Sequence, residues 1–484
     1  MCPVYIFIII KMPTLSKLVS ATQTHDARTH NGAVTHSTSQ SHLVDMFFIA
    51  GTLIWKQPSE YMQKWYAAHS ENKELAIKLL FWMRDVRGWA GVRDAFNYIY
   101  NKLDAEEKKH YAHYVPEYWR WKDIFELAEQ DFEPFKELII YYIHQWPVQK
   151  DFGLFCKWFP RKWKLFNIVR KELECTPKHL RKLIVEYSNT VEQKMSANQW
   201  GEILYEHVPS KAFSKYQEAF KRHDEERFDK FVNDKPEQIK STTLFPCDIF
   251  KEYNNGKDPK IIEAQWKNLP DYIQSDKTFL PVVDVSGSMT WREGAARETW
   301  ITPIMNSVSL GLYLAERNKS IFKDAFMSFS STPKMHYIEG NTICDKFRYI
   351  ENDPTMWYST DIQAAFDLIL SSALKNKLKR EDLPDYLLIL SDMEFNSSDV
   401  GGNETNFEMI QRKFRMNNLE MPNLIFWNLN GRIWNVPVTI NDKWVALVSW
   451  YSPAIMKSVL SSKVVTPYEI MMETLDSERY KNIV

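Results

Sequence analysis

Phe279-Leu-Pro-Val-Val-Asp284-Val-Ser286-Gly-Ser288 is an apolar run that ends in one carboxylate and two hydroxyls at alternate positions. Such a run reads as a buried strand that delivers oxygen ligands from its carboxyl end. Oxygen donors on a tight loop suit a hard divalent cation, Mg²⁺ or Mn²⁺. Gly287 is expected to let that loop turn without a Cβ in the way. Because Ser, Gly and Asp are also ordinary turn residues, the reading depends on what the rest of the chain supplies.

Two later stretches supply it. Trp357-Tyr-Ser-Thr360-Asp361 precedes Ile362, Ala365, Phe366, Ile369, Leu370 and Ala373, which recur at helical spacing. Thr360 therefore falls at or next to a helix N-cap, beside the positive end of the helix dipole. Pro384-Asp-Tyr-Leu-Leu-Ile-Leu-Ser-Asp392 is a second buried strand that ends in a carboxylate. Parallel strands gather their carboxyl ends on one edge of a sheet, where ligands bind. Asp284, Ser286, Ser288, Thr360 and Asp392 are thus expected to meet at one point. Their order and spacing resemble the metal-ion-dependent adhesion site (MIDAS) of von Willebrand factor A domains. The resemblance implies bound Mg²⁺ or Mn²⁺ with one coordination position open to a partner's carboxylate or a water, a use in binding rather than catalysis.

From residue 276 strands and helices alternate. Strands are expected at Thr278–Asp284, at the pair Asp324–Ser331 and Lys334–Ile338, before Asp392, at Leu424–Leu429 and at Trp444–Trp450. A helix is expected at Pro303–Asn318. This alternation predicts a doubly wound α/β sheet over residues 276–484. On that division, residues 272–484 are expected to fold alone. No nucleophile–base pair stands out, with His336 expected on a hairpin, and no P-loop or dinucleotide fingerprint occurs. The expectation is a protein that is not an enzyme and has no nucleotide cofactor.

At 484 residues, the chain has room for two or three domains. Its 61 basic and 62 acidic residues nearly cancel, so any nucleic-acid partner has to be met by a local patch. The scattered Cys2, Cys156, Cys175, Cys247 and Cys344 read as reduced thiols of a cytoplasmic protein, with neither a disulfide framework nor a zinc site. Val4–Ile10 is too short to span a bilayer and lacks a basic segment before it, so neither a membrane anchor nor a signal peptide is expected; Met12 is an alternative start.

Residues 1–42 read as a polar arm whose His25, His30, His36 and His42 fit neither one helical face nor a zinc loop. Residues 43–250 carry apolar stripes at helical spacing and few alternating runs, which predicts an all-helical stack or solenoid. Arg84 and Asp85 beside Gly88 read as a capping ion pair at a helix–helix turn. Residues 251–275 form a connector, with Ile262, Trp266 and Leu269 marking one docked helix.

Several stretches of this half carry a second resemblance: Thr29-His-Asn-Gly32-Ala, Arg84-Asp-Val-Arg87-Gly, Trp121-Lys-Asp123-Ile, Lys157-Trp-Phe-Pro160-Arg and Val208-Pro-Ser210-Lys-Ala. Together they are similar to the family of the Ro ribonucleoprotein autoantigen (TROVE-like), in its branch from plants, fungi and large DNA viruses. That family joins a HEAT-like helical module to a von Willebrand A domain, and in its characterised branch the helical module binds RNA. Here Arg161, Lys162, Lys164, Arg170, Lys171, Lys178, Arg181 and Lys182 stand against only Glu172 and Glu174, with Trp158, Phe159, Trp163 and Phe166 among them. Cations interleaved with aromatics can neutralise phosphates and stack bases; a solvated helix face has the same composition. Two readings stay open: an RNA-binding ribonucleoprotein component, or a scaffold whose metal captures a partner's carboxylate.

Overall fold

The computed structural model describes residues 25–86, 91–144, 152–273, 275–290, 301–329, 332–353, 361–397, 404–449, 455–456, 459 and 466–483. A helical region is followed by an α/β unit. A two-stranded ribbon, β1 (Ala27–Arg28) with β2 (Val34–Thr35), precedes the helices among the described residues. The main sheet holds β3 (Phe279–Asp284), β4 (Ala325–Phe329), β5 (Lys334–Tyr337), β6 (Tyr386–Ser391), β7 (Asn423–Asn428) and β8 (Val445–Ser449). Its order is β5-β4-β3-β6-β7-β8. All neighbours are parallel except β4 and β5, which form the expected antiparallel hairpin.

Every residue of β3 and β6 is buried. That fits their continuous apolar sequences, because a parallel strand covered on both faces has no reason to alternate. Helix Pro303–Arg317 lies against β3 at Gly311, where a Cβ would stand 2.5 Å from Val283 Cγ2. A Cβ there would force the Val283 side chain to shift in a close-packed interior.

Apolar packing crosses the divisions expected at residues 42 and 250. Apolar side chains from Ala33 through Ile184 and from Leu244 through Ile483 form one contiguous core. Residues 203–239, with Ile261 and Ala264, build a smaller satellite around Phe213, Phe220 and Phe228. The helix expected in the connector is Pro259–Lys267, and a second helix, Pro246–Asn254, runs into it from the preceding region. Phe250 and Trp266 from these meet Phe347 of the α/β unit.

Part of the supposed arm is docked on the α/β unit. Gly32, Val34 and His36 bridge to Asn396, Thr405 and Val436. Helix His42–Ile49 packs on β8 with Phe47 and Phe48 fully buried. Its last carbonyls need partners outside the helix. Ser449 Oγ donates to Phe47 O at 3.1 Å and Asn428 Nδ2 to Phe48 O at 3.2 Å.

Arg84 and Asp85 are not a mutual cap. Arg84 bonds Asp123, which also accepts from Arg93. The fully buried Asp85 accepts from Arg479 and, at 2.9 Å, from the Tyr480 hydroxyl. Adjacent residues thus tie the end of one helix to two elements, one of them near the chain's C-terminus. Gly88 lies outside the described residues.

Candidate metal centre

β3 and β6 are parallel neighbours in the register Val283↔Leu390, so Asp284 and the pair Ser391–Asp392 leave the same edge side by side. Numbered from β3, the strand order is 3-2-1-4-5-6. The carboxyl ends of the first and fourth strands flank the point where the winding reverses, the crevice in which open α/β sheets bind ligands.

Asp284 is fully buried and Asp392 is 3% exposed. Ser286 N–H donates to Asp284 Oδ1 at 2.9 Å, and Ser391 Oγ donates to Asp284 Oδ2 at 2.5 Å. The Ser286 and Ser288 hydroxyls are 3.0 Å apart. Glu394 N–H donates to Asp392 Oδ1 at 3.1 Å. Among the described residues neither carboxylate bonds a lysine, arginine or histidine. Burial raises the Asp284 pKa, with the serine hydrogen bonds working against it. Burial, followed by the charge of Asp284, pushes Asp392 up to about 7. Two like charges out of water without a counterion are costly, and a bound divalent cation is one of the few things that removes the cost.

The donor set fits such an ion: carboxylates and hydroxyls, without thiol or imidazole. Among the described residues no cluster of three or more His, Cys, Asp or Glu is disposed to hold a metal, so a cation here would need the hydroxyls as well as the two carboxylates. Of the expected ligands, Asp284, Ser286, Ser288 and Asp392 stand at this one edge. Thr360 lies outside the described residues. The N-cap of helix Ile362–Asn376 is Asp361, whose carboxylate accepts from Ala364 N–H at 2.9 Å. Gly287 does not have the role expected of it: nothing lies within 4 Å of a Cβ there, and its φ is outside the left-handed region.

The sequence reading missed Ser391. The signal was present in a strand ending Leu-Ser-Asp, because a parallel neighbour of β3 has to place residue 391 beside Asp284. It also missed the clamp on the following loop. Thr29 Oγ1 donates to Phe395 O, His30 N–H to Glu394 Oε2 and Asn31 Nδ2 to Glu394 O, each at 2.6 Å.

A Ser–His–Asp chain stands on the hairpin, where no such constellation was expected. His336 Nε2 is 2.7 Å from Ser328 Oγ, and its Nδ1 is 3.4 Å from Asp353 Oδ2. Burial pushes the imidazole down to about 4 despite Asp353. Ser328 is fully buried within β4, so the chain serves to tie the hairpin to Asp353, beyond helix Ile343–Glu351.

The basic stretch spans helices Trp163–Glu172 and Pro177–Ser188. Arg161, Lys162, Lys164, Lys171, Lys178, Arg181 and Lys182 are exposed, and among the described residues none of their side-chain cations is paired with a carboxylate. Arg170 differs. It is half-buried and donates to Cys175 O at 3.3 Å, which closes the end of its own helix. Phe159 and Phe166 point into the core, while Trp158 and Trp163 remain outside.

Comparison with known proteins divides the chain where β3 begins. Residues 279–482 match the model of a domain of unknown function (DUF7788), and residues 161–279 match another (DUF2828). The uncharacterized protein L728 of Acanthamoeba polyphaga mimivirus is 25% identical over 514 residues, covering 93% of this chain and 87% of the relative. Among the described residues no helix is long and apolar enough to cross a membrane.

Proposed function

We propose that this is a non-enzymatic, cytoplasmic, RNA-binding protein of ribonucleoprotein type, related to the Ro family, whose α/β unit is a von Willebrand A domain with a cation-dependent adhesion site. The helical region is its HEAT-like module. The observation that carries the cation reading is the buried pair Asp284 and Asp392 at the reversal of the strand order, with no cationic side chain on either among the described residues. Mg²⁺ or Mn²⁺ held by Asp284, Ser286, Ser288, Thr360 and Asp392 would neutralise the pair and leave a position for a partner's Asp or Glu. Titration calorimetry with Mn²⁺ is expected to show saturable binding by the wild type and none by Asp284→Ala. Equal binding by both would overturn the site.

The RNA reading draws on the exposed, unpaired cations of residues 161–182. If they meet phosphates, affinity falls steeply with salt, and the slope reports how many contacts form. Lys164→Glu, Lys171→Glu, Lys178→Glu and Lys182→Glu combined are expected to abolish RNA retention on filters at low salt. The thermal transition should barely move, because exposed charges contribute little stability. Arg170 is left out because its side chain supports the fold. Undiminished RNA retention would leave the scaffold reading, in which the cation captures a protein carboxylate, as the survivor.

A further inference from the structure

We propose that Trp163 is a base-stacking platform, so that the ligand of the basic face is single-stranded rather than duplex nucleic acid; this rests on the RNA reading above. Trp163 is 69% exposed and has a φ of +82°. Left-handed backbone is uncommon for any residue with a Cβ and is an outlier for a bulky one. Strain of this kind persists only where the surroundings over-determine it. Here they do. Glu129 caps the helix that Trp163 opens, accepting Lys164 N–H and Leu165 N–H at 2.8 Å each. Asn167 Nδ2 donates to Trp163 O at 3.0 Å. With the cap fixed, the chain presents the indole to water while Leu165 and Phe166 enter the core.

The exposed rings are set among ammonium groups. Lys162 Nζ lies 5.6 Å from the Trp163 ring centre. Trp158, 38% exposed, has Lys122 and Lys157 each at 5.4 Å. Arg181 covers Phe166 at 5.1 Å and donates to Arg161 O at 3.2 Å, which holds the two basic segments together. A base laid on the indole would displace Lys162 toward the adjoining phosphate, where its charge does more. Paired bases hide their faces in the stack, so a protruding indole gains little from a duplex, whereas a single strand offers a face at every nucleotide. A lipid surface suits the arrangement less well. Beyond Trp163 the exposed positions of its helix are Lys164, Asn167, Lys171 and Glu172, and interfacial helices need a broad apolar face.

The test uses the full chain with a fluorescein-labelled single-stranded uridine oligonucleotide, an RNA duplex of equal length, and vesicles containing phosphatidylserine. Trp163→Ala is expected to weaken single-strand binding by about tenfold, with duplex binding and the salt slope unchanged. Trp163→Phe should recover most of the loss, since a smaller ring still stacks. Unaltered single-strand affinity in Trp163→Ala, alongside a loss in the Lys→Glu combination, would overturn the platform and leave RNA binding standing. No binding of either RNA by the wild type would overturn both. Binding only to the vesicles, lost in Trp163→Ala, would transfer the indole to a lipid role.

Discussion

A chain cut to residues 272–484 is expected to be insoluble, while residues 25–484 stay in solution. The α/β unit looks self-contained in sequence, but β8 is covered by helix His42–Ile49, which the cut removes. Val445–Ser449 are all buried in the full protein. Leu43, Val44, Met46, Phe47, Phe48 and Ile49 on the covering helix are at most 1% exposed. Burial of one large apolar side chain contributes about 1.5–3 kcal/mol. Half of this set facing the sheet would then contribute on the order of 5 kcal/mol, comparable to the low end of a whole domain's stability, about 5–15 kcal/mol. The cut also removes the clamp of Thr29, His30 and Asn31 on the loop after Asp392. Size-exclusion chromatography of the two chains decides. A monodisperse 272–484 with a cooperative melt would show that the sheet closes its own core.

Asp392→Asn is expected to make the cation-free protein more stable at pH 8, make no difference at pH 4, and abolish stabilisation by Mg²⁺. In the folded, cation-free protein, burial and Asp284 hold the Asp392 carboxyl at about 7. In the unfolded chain it titrates near its ordinary value of about 3.9. The folded state therefore keeps a proton that the unfolded state releases. The stability linked to that proton is fully present below the unfolded value and is lost as pH rises through 7. Above that pH the two carboxylates are both charged and repel, and the amide of the variant relieves that repulsion. Mg²⁺ relieves them in the wild type instead, adding about 2.7 kcal/mol at a hundred times its Kd. Melts of both proteins at pH 4 and pH 8, with and without Mg²⁺, test this. A Mg²⁺ effect that persists in the variant, or a stability difference independent of pH, would contradict the arrangement.

The readable parts of this fold are those whose partners are declared locally. β3, β6, β7 and β8 announce themselves as short apolar runs, and the order of strands and helices then brings Asp284 and Asp392 to one edge. The β4–β5 hairpin was equally plain from its two runs and short turn. Residues 27–36 were opaque for the opposite reason. Their partners lie hundreds of positions away, and a segment fastened through Glu394, Phe395 O and Val436 has no periodicity to give it away. Arg84 and Asp85 misled because neighbouring opposite charges suggest each other, whereas both had remote partners. Ser391 was recoverable by counting register. Trp163 was visible as an aromatic among lysines, but its outward direction is set by the Glu129 cap, which sequence spacing does not reveal.

The bond between Ser449 Oγ and Phe47 O joins groups 402 positions apart, and this separation constrains how the nascent protein matures. At about 5–20 residues per second, the ribosome needs roughly 20–80 s to reach Ser449 after making Phe47. For all of that time the apolar face of helix His42–Ile49 has no sheet to cover. Folding each unit as it emerges is therefore closed to this chain. Helix His42–Ile49 has to wait, in the care of a chaperone or in a provisional packing against the helices behind it, and its final contacts form only when β8 has been released.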